Sequence, residues 1–269
     1  MKTQTIFKIV FILILLTLLS VRVHYVSAQN IYESKAQKYL EKAEINTDEH
    51  HIDKMLGKIK QANKKLHSAK ENIDNAIKDP EIAKNSRAWY YHGLIYYYIG
   101  SNELFTNKSC DIASLSQSIN SLEMALSLEK DPVRKVEILS NVKQVMAILS
   151  NYGCREFDKK KYKQAIRIFE EAVSANDIII RNGWESMGLQ LEFTSIFYAC
   201  YLTEDYDKML FYGNILIAKN YHDDEIYELI KNVYITKGLE YNQEDILAKA
   251  KEQVTSSEEL IMKYVPAYH

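Results

Sequence analysis

Hydrophobic residues recur every three or four positions along most of the chain after residue 30, as on one face of a helix. The clearest stripe consists of Met55, Ile59, Ala62, Leu66, Ala69, Ile73 and Ala76. Pro80 and Pro132 interrupt the helical spacing, because proline disfavours the α conformation in the residue before it. No convincing alternation of apolar and polar residues occurs between these stretches. The pattern therefore predicts an all-α protein.

A triplet of a small, a large and a small residue, spaced by four and then three positions, returns along the chain. Its clearest copy is Ala165, Phe169 and Ala172. The other copies are Ala69, Ile73 and Ala76; Ser118, Leu122 and Ala125; the degenerate Met209, Gly213 and Leu216; and the poor Gln243, Leu247 and Ala250. Small residues let a second helix approach closely, and the large residue fills the groove. The repetition predicts helix pairs that bury their apolar faces only against neighbouring pairs.

A second signature marks a partner helix before several triplets. Trp89, Gly93 and Tyr96 are spaced by four and three positions, and Gly153 lies twelve residues before Ala165. A third copy of the aromatic spacing is Tyr227, Ile230 and Tyr234. We expect these residues to pack between the helices of each pair.

With these motifs the chain resembles the tetratricopeptide repeat family, whose pattern is W-x2-L-G-x2-Y, then A-x3-F-x2-A, then proline. The stretch 162–172, YKQAIRIFEEA, matches the second helix of that repeat nearly residue for residue. The resemblance covers most of residues 31–253, in about four or five units. It implies a right-handed α-solenoid of stacked antiparallel helix pairs. The alternative is an irregular helical bundle with one central core.

The repeats are longer than those of the family. The first residues of successive triplets are 49, 47, 44 and 34 positions apart, whereas the family period is 34. We predict an inserted loop around 100–111 and lengthened first helices, such as one from Asp131 to Phe157. Ser256 and Glu259 form a possible capping box, so we predict a short C-terminal capping helix within 254–269.

The first 28 residues have the features of a cleavable secretory signal. Lys2 and Lys8 precede an apolar run from Ile9 to Val21, and Val26-Ser27-Ala28 provides small residues at a cleavable spacing. The alternative is an uncleaved anchor, but a membrane span needs about 20 apolar residues and this run has 13. We therefore predict export to the periplasm or the extracellular space, with residues 29–269 forming one repeat domain.

Composition limits the classes of function. Hydrophobic residues make up 47% of the chain, enough for a packed core, and only eight glycines and three prolines are present, fewer than a sandwich or barrel needs for its turns. The net charge of −2 gives no electrostatic reason to bind nucleic acid or anionic lipid. Three cysteines, an odd number, exclude a fully paired disulfide framework and leave either free thiols or one disulfide.

The sequence offers little catalytic chemistry. It contains none of the common phosphate-binding, serine-nucleophile or zinc-protease motifs. The best metal candidate is the run from Asp48 to His51 with Asp53. Consecutive helical residues point about 100° apart and cannot converge on one ion, so we interpret this run as a polar connector before a helix that begins near His51. We predict no enzyme, no metal and no cofactor.

The resemblance also implies a binding surface, because in this family the first helix of each pair lines a concave groove through its second, fifth, ninth and twelfth positions. In this chain those positions are Arg87, Tyr90, Leu94 and Tyr97; Ala147, Ser150, Cys154 and Phe157; and Leu191, Thr194, Tyr198 and Tyr201. The residues expected to bind are Arg87, Tyr90, Leu94, Tyr97, Phe157, Tyr198 and Tyr201. Tyrosine combines a large contact area with a hydrogen-bonding tip, which suits capture of a peptide or protein.

Two properties of this surface remain open at the level of sequence. The tyrosines have an alternative role in packing between helices. Only Arg87 is cationic among the twelve positions, so we predict no clamp for an acidic chain end. The preferred function is a non-enzymatic interaction scaffold of the cell envelope; the alternatives are a module that senses a peptide or small ligand and, more remotely, an envelope enzyme.

Overall fold

The computed structural model describes residues 35–55, 57–101, 111–220 and 224–236. Within these ranges the regular structure is helical and includes no strand, so the predicted all-α class is confirmed. Contacts divide the chain into unit 1, residues 1–95, and unit 2, residues 96–269. The helices are α1 (35–55), α2 (Ile59–Ala76), α3 (Ser86–Gly100), α4 (Ile112–Leu128), α5 (Pro132–Asp158), α6 (Tyr162–Arg181), α7 (Gln190–Leu202), α8 (Tyr206–Ala218) and α9 (Asp224–Thr236), with a 3₁₀ turn at Ile82–Lys84.

Unit 1 contains α1, α2 and most of α3. The apolar stripe of α2 is its core: Ala62, Leu66, Ala69, Ile73 and Ala76 are each at most 1% exposed. Beyond α2, Asp79 Oδ1 accepts a hydrogen bond from the Glu81 amide at 2.9 Å. Trp89 is half-buried, and its indole Nε1 donates to the carbonyl of Ala83 at 2.8 Å. Hydrogen bonds to Asp79, which precedes the 3₁₀ turn, and from Trp89, which follows it, therefore stabilise this turn.

The helix is interrupted between the end of α1 at residue 55 and the start of α2 at Ile59, and the apolar spacing did not predict this interruption. Gly57 has a φ of +71°, in the left-handed region that glycine adopts without steric cost. The Lys58 amide donates to the carbonyl of Asp53 at 2.8 Å. Met55 lies on α1 and is 77% exposed, so its assignment to the buried stripe of α2 is wrong. The spacing of four residues between Met55 and Ile59 concealed the break, because Met55 lies on the exposed side of α1.

Unit 2 contains the last turn of α3 and the helices from α4 to α9. Each helix from α4 onward packs mainly against the next one, with weaker contacts from α4 to α6 and from α5 to α7. This is the arrangement of stacked helix pairs in an α-solenoid, with α5 and α6 as one pair and α7 and α8 as the next. The lengthened first helix predicted from Asp131 to Phe157 is confirmed as α5, Pro132–Asp158.

The two pairs are closed by the same type of turn. Lys160 and Glu204 both have a φ of +60°, the left-handed residue that commonly ends a helix. After each, the next amide reaches back to the carbonyl five residues earlier, from Lys161 to Glu156 and from Asp205 to Cys200, at 2.9 Å in both cases. The local repetition therefore extends from sequence to backbone hydrogen bonding.

One glycine in each pair lets its two helices pack closely. A Cβ atom at Gly153 of α5 would lie 2.5 Å from the ring of Phe169 on α6, a distance that no side chain can occupy without displacement. Phe169 is fully buried, as are Ala165 and Ala172 on either side of it. Gly213 of α8 makes a similar approach to the Phe197 ring, where a Cβ would lie at 2.9 Å. The small and large residues thus interlock across the helix pairs.

A partly buried ion pair, with Glu170 buried and Lys208 half-buried, joins the second helices of the two pairs. Lys208 Nζ of α8 lies 2.7 Å from Glu170 Oε1 of α6, and Tyr212 also hydrogen-bonds Glu170. Burial raises the pKa of Glu170, although Lys208 opposes this effect. The pKa of Lys208 is raised by the paired carboxylate in spite of its own burial. Each charge therefore has its partner inside the protein.

Several predicted features lie outside the described residues: the signal 1–28, most of the loop around 100–111, the triplet residues Leu247 and Ala250, and the cap 254–269. The two ends of the predicted loop are close together, since the Asp111 amide donates to the Gly100 carbonyl at 3.3 Å. Among the described helices, none combines the length and the hydrophobicity that crossing a bilayer requires.

Candidate functional site

The predicted groove positions belong to both units. Arg87, Tyr90 and Leu94 lie in unit 1, and Tyr97 and the positions on α5 and α7 lie in unit 2. Leu94 is 8% exposed and is the only one of the twelve whose side chain is buried. The expectation that Leu94 lines an exposed surface is therefore wrong, because the side chain belongs to the interior.

Arg87, the cation of the predicted groove, is engaged within unit 1. Its Nε and Nη2 atoms lie 2.7 Å from the two carboxylate oxygens of Glu44 on α1. The Nη2 contact is a hydrogen bond, whereas the Nε contact is an ion pair without hydrogen-bond geometry. The guanidinium also lies 5.9 Å from the ring centre of Tyr91. Arg87 thus secures α3 against α1, with Tyr90 half-buried nearby in sequence.

In unit 2 the predicted positions form an accessible surface, the first-helix face: Ala147, Ser150, Cys154 and Phe157 of α5 with Leu191, Thr194, Tyr198 and Tyr201 of α7. All eight are half-buried or exposed. The intervening Leu149 and Tyr152 of α5 and Phe193 and Phe197 of α7 are at most 7% exposed. Both helices therefore turn one face to the core and the other to solvent.

Polar contacts connect first helices along this face. Ser150 Oγ of α5 donates to Glu192 Oε1 of α7 at 2.5 Å. Tyr97, on the last turn of α3, is half-buried, and its hydroxyl lies 3.5 Å from Gln144 Oε1 of α5. Within unit 2, the last turn of α3 thus contacts α5, and α5 contacts α7, through side chains at or beside the predicted positions.

Glu192 is buried at the seam between α5 and α7. It is 4% exposed, and its Oε2 atom has no hydrogen-bond partner. Cys154, one turn beyond Ser150 on α5, is a free thiol. Burial raises the pKa of Cys154, and the carboxylates of Asp158 and Glu192 raise it further. The Cys154 thiol therefore lies near two carboxylates, one of them buried.

Aromatic side chains flank the seam. The Phe157 ring packs edge-on against Tyr162 with ring centres 5.3 Å apart, and Tyr198 packs against Phe197 at the same distance. Before α7, Trp184 lies under Lys143 Nζ of α5, 4.5 Å from its ring centre. The face therefore offers partly exposed rings on a rigid helical support.

The histidine run that was considered for metal binding is part of a helix. His50 and His51 lie inside α1, so the predicted connector with a helix beginning near His51 is wrong. His50 is 1% exposed, and its Nδ1 atom lies 2.8 Å from the Ala62 carbonyl of α2. Within the described ranges, no three histidine, cysteine or acidic side chains are placed to hold one metal ion.

Unit 1 also has an open polar cleft of about 450 Å³ between α1 and α2. Its lining residues are Asn46, Asp53, Gln61, Lys64, Lys65 and Ser68. Lys65 pairs with Glu49, and Asn46 Nδ2 donates to Ser68 Oγ at 3.2 Å. Asn46, Ser68 and Lys65 therefore already have polar partners within unit 1.

Reasoning from sequence missed Glu192, Asp158 and Gln144, which adjoin the predicted positions. A single acidic residue near the start of an amphipathic helix ordinarily faces water and stabilises the helix dipole. Glu192 is buried because α5 lies across it, and no short sequence motif encodes this packing. The signal that could have pointed to Glu192 is the composition of α7, which has one acidic residue and no lysine or arginine.

No protein-family model, curated protein or solved structure matches this chain.

Proposed function

We propose that the protein is a non-enzymatic interaction module that holds an extended segment or a helix of a partner protein on its first-helix face. The observation that carries the proposal is the exposure pattern of α5 and α7, where all eight face positions are accessible and the intervening Leu149, Tyr152, Phe193 and Phe197 are buried. Three of the eight are the aromatic residues Phe157, Tyr198 and Tyr201, the type of side chain that dominates protein-binding energies.

The assignment to the tetratricopeptide family belongs to the same proposal. It is supported by the 162–172 stretch, by the Gly153–Phe169 contact and by the shared turns at Lys160 and Glu204. Export to the periplasm or extracellular space is proposed from the signal-like residues 1–28. A helical-repeat protein of this kind acts by presenting a curved surface, and this link to function is an analogy between folds.

The test is affinity purification of the tagged protein from its native cells, followed by mass spectrometry. We expect the Tyr198→Ala/Tyr201→Ala variant to lose specific partners, since truncating an aromatic hot spot costs about 2 kcal/mol or more. Tyr206→Ala is the matched control, because Tyr206 is a half-buried tyrosine at the start of the second helix α8. A double variant that unfolds like the parent in urea and keeps every partner contradicts the proposal.

A further inference from the structure

His50 of α1 is a buried histidine that is bonded across the interface between α1 and α2. It is 1% exposed, and its Nδ1 atom lies 2.8 Å from the carbonyl oxygen of Ala62 in the first turn of α2. Because a carbonyl oxygen only accepts hydrogen bonds, Nδ1 carries a proton and donates it. Nδ1 keeps this proton when the other ring nitrogen is protonated, so acid changes the charge of the ring and not this bond.

The surroundings of His50 oppose a positive charge on its ring. Burial lowers the pKa of His50, and the charges of Lys54 and His51 on the same helix lower it further. The hydrogen bond to Ala62 and the charge of Asp53 act in the opposite direction, but the net effect is a pKa below the ordinary value of 6.5. At neutral pH the buried ring is therefore uncharged.

Charged groups of the neighbouring elements face the acids of α1. The contacts are Lys58 to Asp53 at 4.0 Å, Lys65 of α2 to Glu49, and Arg87 of α3 to Glu44. Lys64 of α2 lines the polar cleft together with Asp53, and the pKa of Tyr91 on α3 is raised by burial and then by Asp48 and Glu44. Asp53, which favours a charge on His50, therefore already has a lysine beside it.

His92 of α3 is also buried in unit 1, but its setting is different. It is 3% exposed, and its Nε2 atom lies 3.5 Å from Asp74 Oδ1 of α2. A proton added to His92 therefore gains a carboxylate next to it, which favours the charged ring. A proton added to His50 instead brings a charge into an interface where burial is the dominant effect.

The two units differ in their histidines. Within the described ranges, unit 1 contains His50, His51, His67 and His92, and the described residues of unit 2 contain no histidine. Histidine is the side chain whose ordinary charge change falls between pH 5 and pH 8. Each unit has one tryptophan, Trp89 in unit 1 and Trp184 in unit 2, so the response of each unit to mild acid can be measured separately.

We propose that His50, buried between α1 and α2, makes this interface acid-sensitive, so that unit 1 loses stability when the medium is mildly acidified. Protonation puts a positive charge inside the interface, which the folded state resists and the unfolded chain accepts. The unfolded histidine takes up its proton near pH 6.5. The stability is therefore fully present above that pH and is lost as the pH falls toward the lower value at which the folded state binds the proton. This property of unit 1 is separate from the binding face proposed for unit 2.

The test compares the parent with His50→Asn and His51→Asn in urea unfolding at pH 7.5 and at pH 5.5. Asparagine keeps an N–H donor near the position of Nδ1 and takes up no proton. His51→Asn is the matched control, because His51 is the exposed neighbour of His50 on the same helix. Labelling with 5-fluorotryptophan gives separate fluorine NMR signals for Trp89 and Trp184, and the Trp184 signal serves as the reference from unit 2.

We expect acidification to raise the equilibrium constant for unfolding, read at Trp89, by about two- to tenfold more in the parent and in His51→Asn than in His50→Asn. The upper limit is set by the unfolded chain, in which about ten of eleven His50 rings are protonated at pH 5.5. An equal response of the parent and His50→Asn overturns the inference.

A second measurement applies even if His50→Asn does not fold. The NMR shift of the His50 Cε1–H group is followed in the folded parent as the pH is lowered from 8. A protonation midpoint below pH 6.5 agrees with the inference, because the folded interface then resists the charge. A midpoint at or above pH 6.5 overturns it, since folding would then not disfavour the proton.

Discussion

Two polar contacts join the same two helix pairs of unit 2, one between the second helices and one between the first helices. Between α6 and α8, Glu170 is paired with Lys208 at 2.7 Å and also bonds Tyr212. Between α5 and α7, Glu192 has Ser150 as its hydrogen-bond donor and keeps one oxygen unpaired. Glu170 and Glu192 are both almost fully buried, at 6% and 4% exposure, so burial alone does not explain the difference between the two contacts.

The difference lies in what each contact does for the fold. A buried charge with a complete set of partners fixes the position of neighbouring elements, and removing one partner leaves an uncompensated charge. A buried acid with an incomplete set of partners should stabilise the fold less. We infer that the Glu170–Lys208 pair adds to the packing of α6 on α7 in joining the two helix pairs, whereas the Ser150–Glu192 contact contributes little to their stability.

The largest effect should follow from breaking the complete contact. Lys208→Met leaves Glu170 buried without its cation, and we expect a loss of about 3–5 kcal/mol in the free energy of unfolding at pH 7. Urea unfolding followed by circular dichroism measures it. The Glu170→Gln/Lys208→Met double variant removes both charges and should be less destabilised than Lys208→Met. A cost below about 1 kcal/mol for Lys208→Met would show that the pair does not hold the helices.

A smaller effect is expected where α5 and α6 interlock. Gly153→Ala places a methyl group 2.5 Å from the Phe169 ring, and overpacking of this kind costs about 1–3 kcal/mol. Adding Phe169→Leu to Gly153→Ala should recover part of this loss by reducing the side chain that blocks the methyl group. The same urea unfolding assay applies. If Gly153→Ala is as stable as the parent, the two helices do not pack as closely as described.

The reactivities of Cys154 and Cys200 compare a solvent-facing side of α5 with a buried side of α7. Cys200 of α7 is fully buried, and burial raises its pKa to about 12, whereas Cys154 is half-buried on the first-helix face. Because the thiolate is the reactive form, we expect iodoacetamide at pH 8 to modify Cys154 and to spare Cys200 in the native protein. Peptide mapping of a Cys110→Ser variant measures both rates, and urea should make them similar. Equal rates without urea would place Cys154 in the core.

The interlocking parts of the fold could be predicted from sequence, because local periodicity records them. Ala165, Phe169 and Ala172 are spaced so that they share one side of a helix, and a glycine twelve residues earlier marks where the partner helix approaches. The same reasoning failed at Gly57, since a single glycine is compatible both with a continuous helix and with a break. It failed at His50 for a related reason, because helix α1 continues through a polar run.

Only part of the candidate site could be predicted from the sequence. The positions on α5 and α7 follow from helical geometry once the pairs are aligned, and Tyr198 and Tyr201 are found in this way. Glu192 is not, because its burial depends on the separation of two helices about 40 residues apart in the chain. A sequence pattern describes which side of a helix a residue occupies, whereas burial at a seam is a property of two helices together.

The most direct test of the inferred division of roles is the stability of Glu192→Gln beside that of Lys208→Met. Glu192→Gln should show the smallest change in the free energy of unfolding among these variants. Glutamine keeps an oxygen for Ser150 and removes a buried charge that lacks a full set of partners, so we expect its free energy of unfolding in urea at pH 7 to stay within about 1 kcal/mol of the parent or to rise. A loss of about 3 kcal/mol or more, comparable to that of Lys208→Met, would show that Glu192 is as important to the fold as Glu170 and would contradict the inferred division of roles.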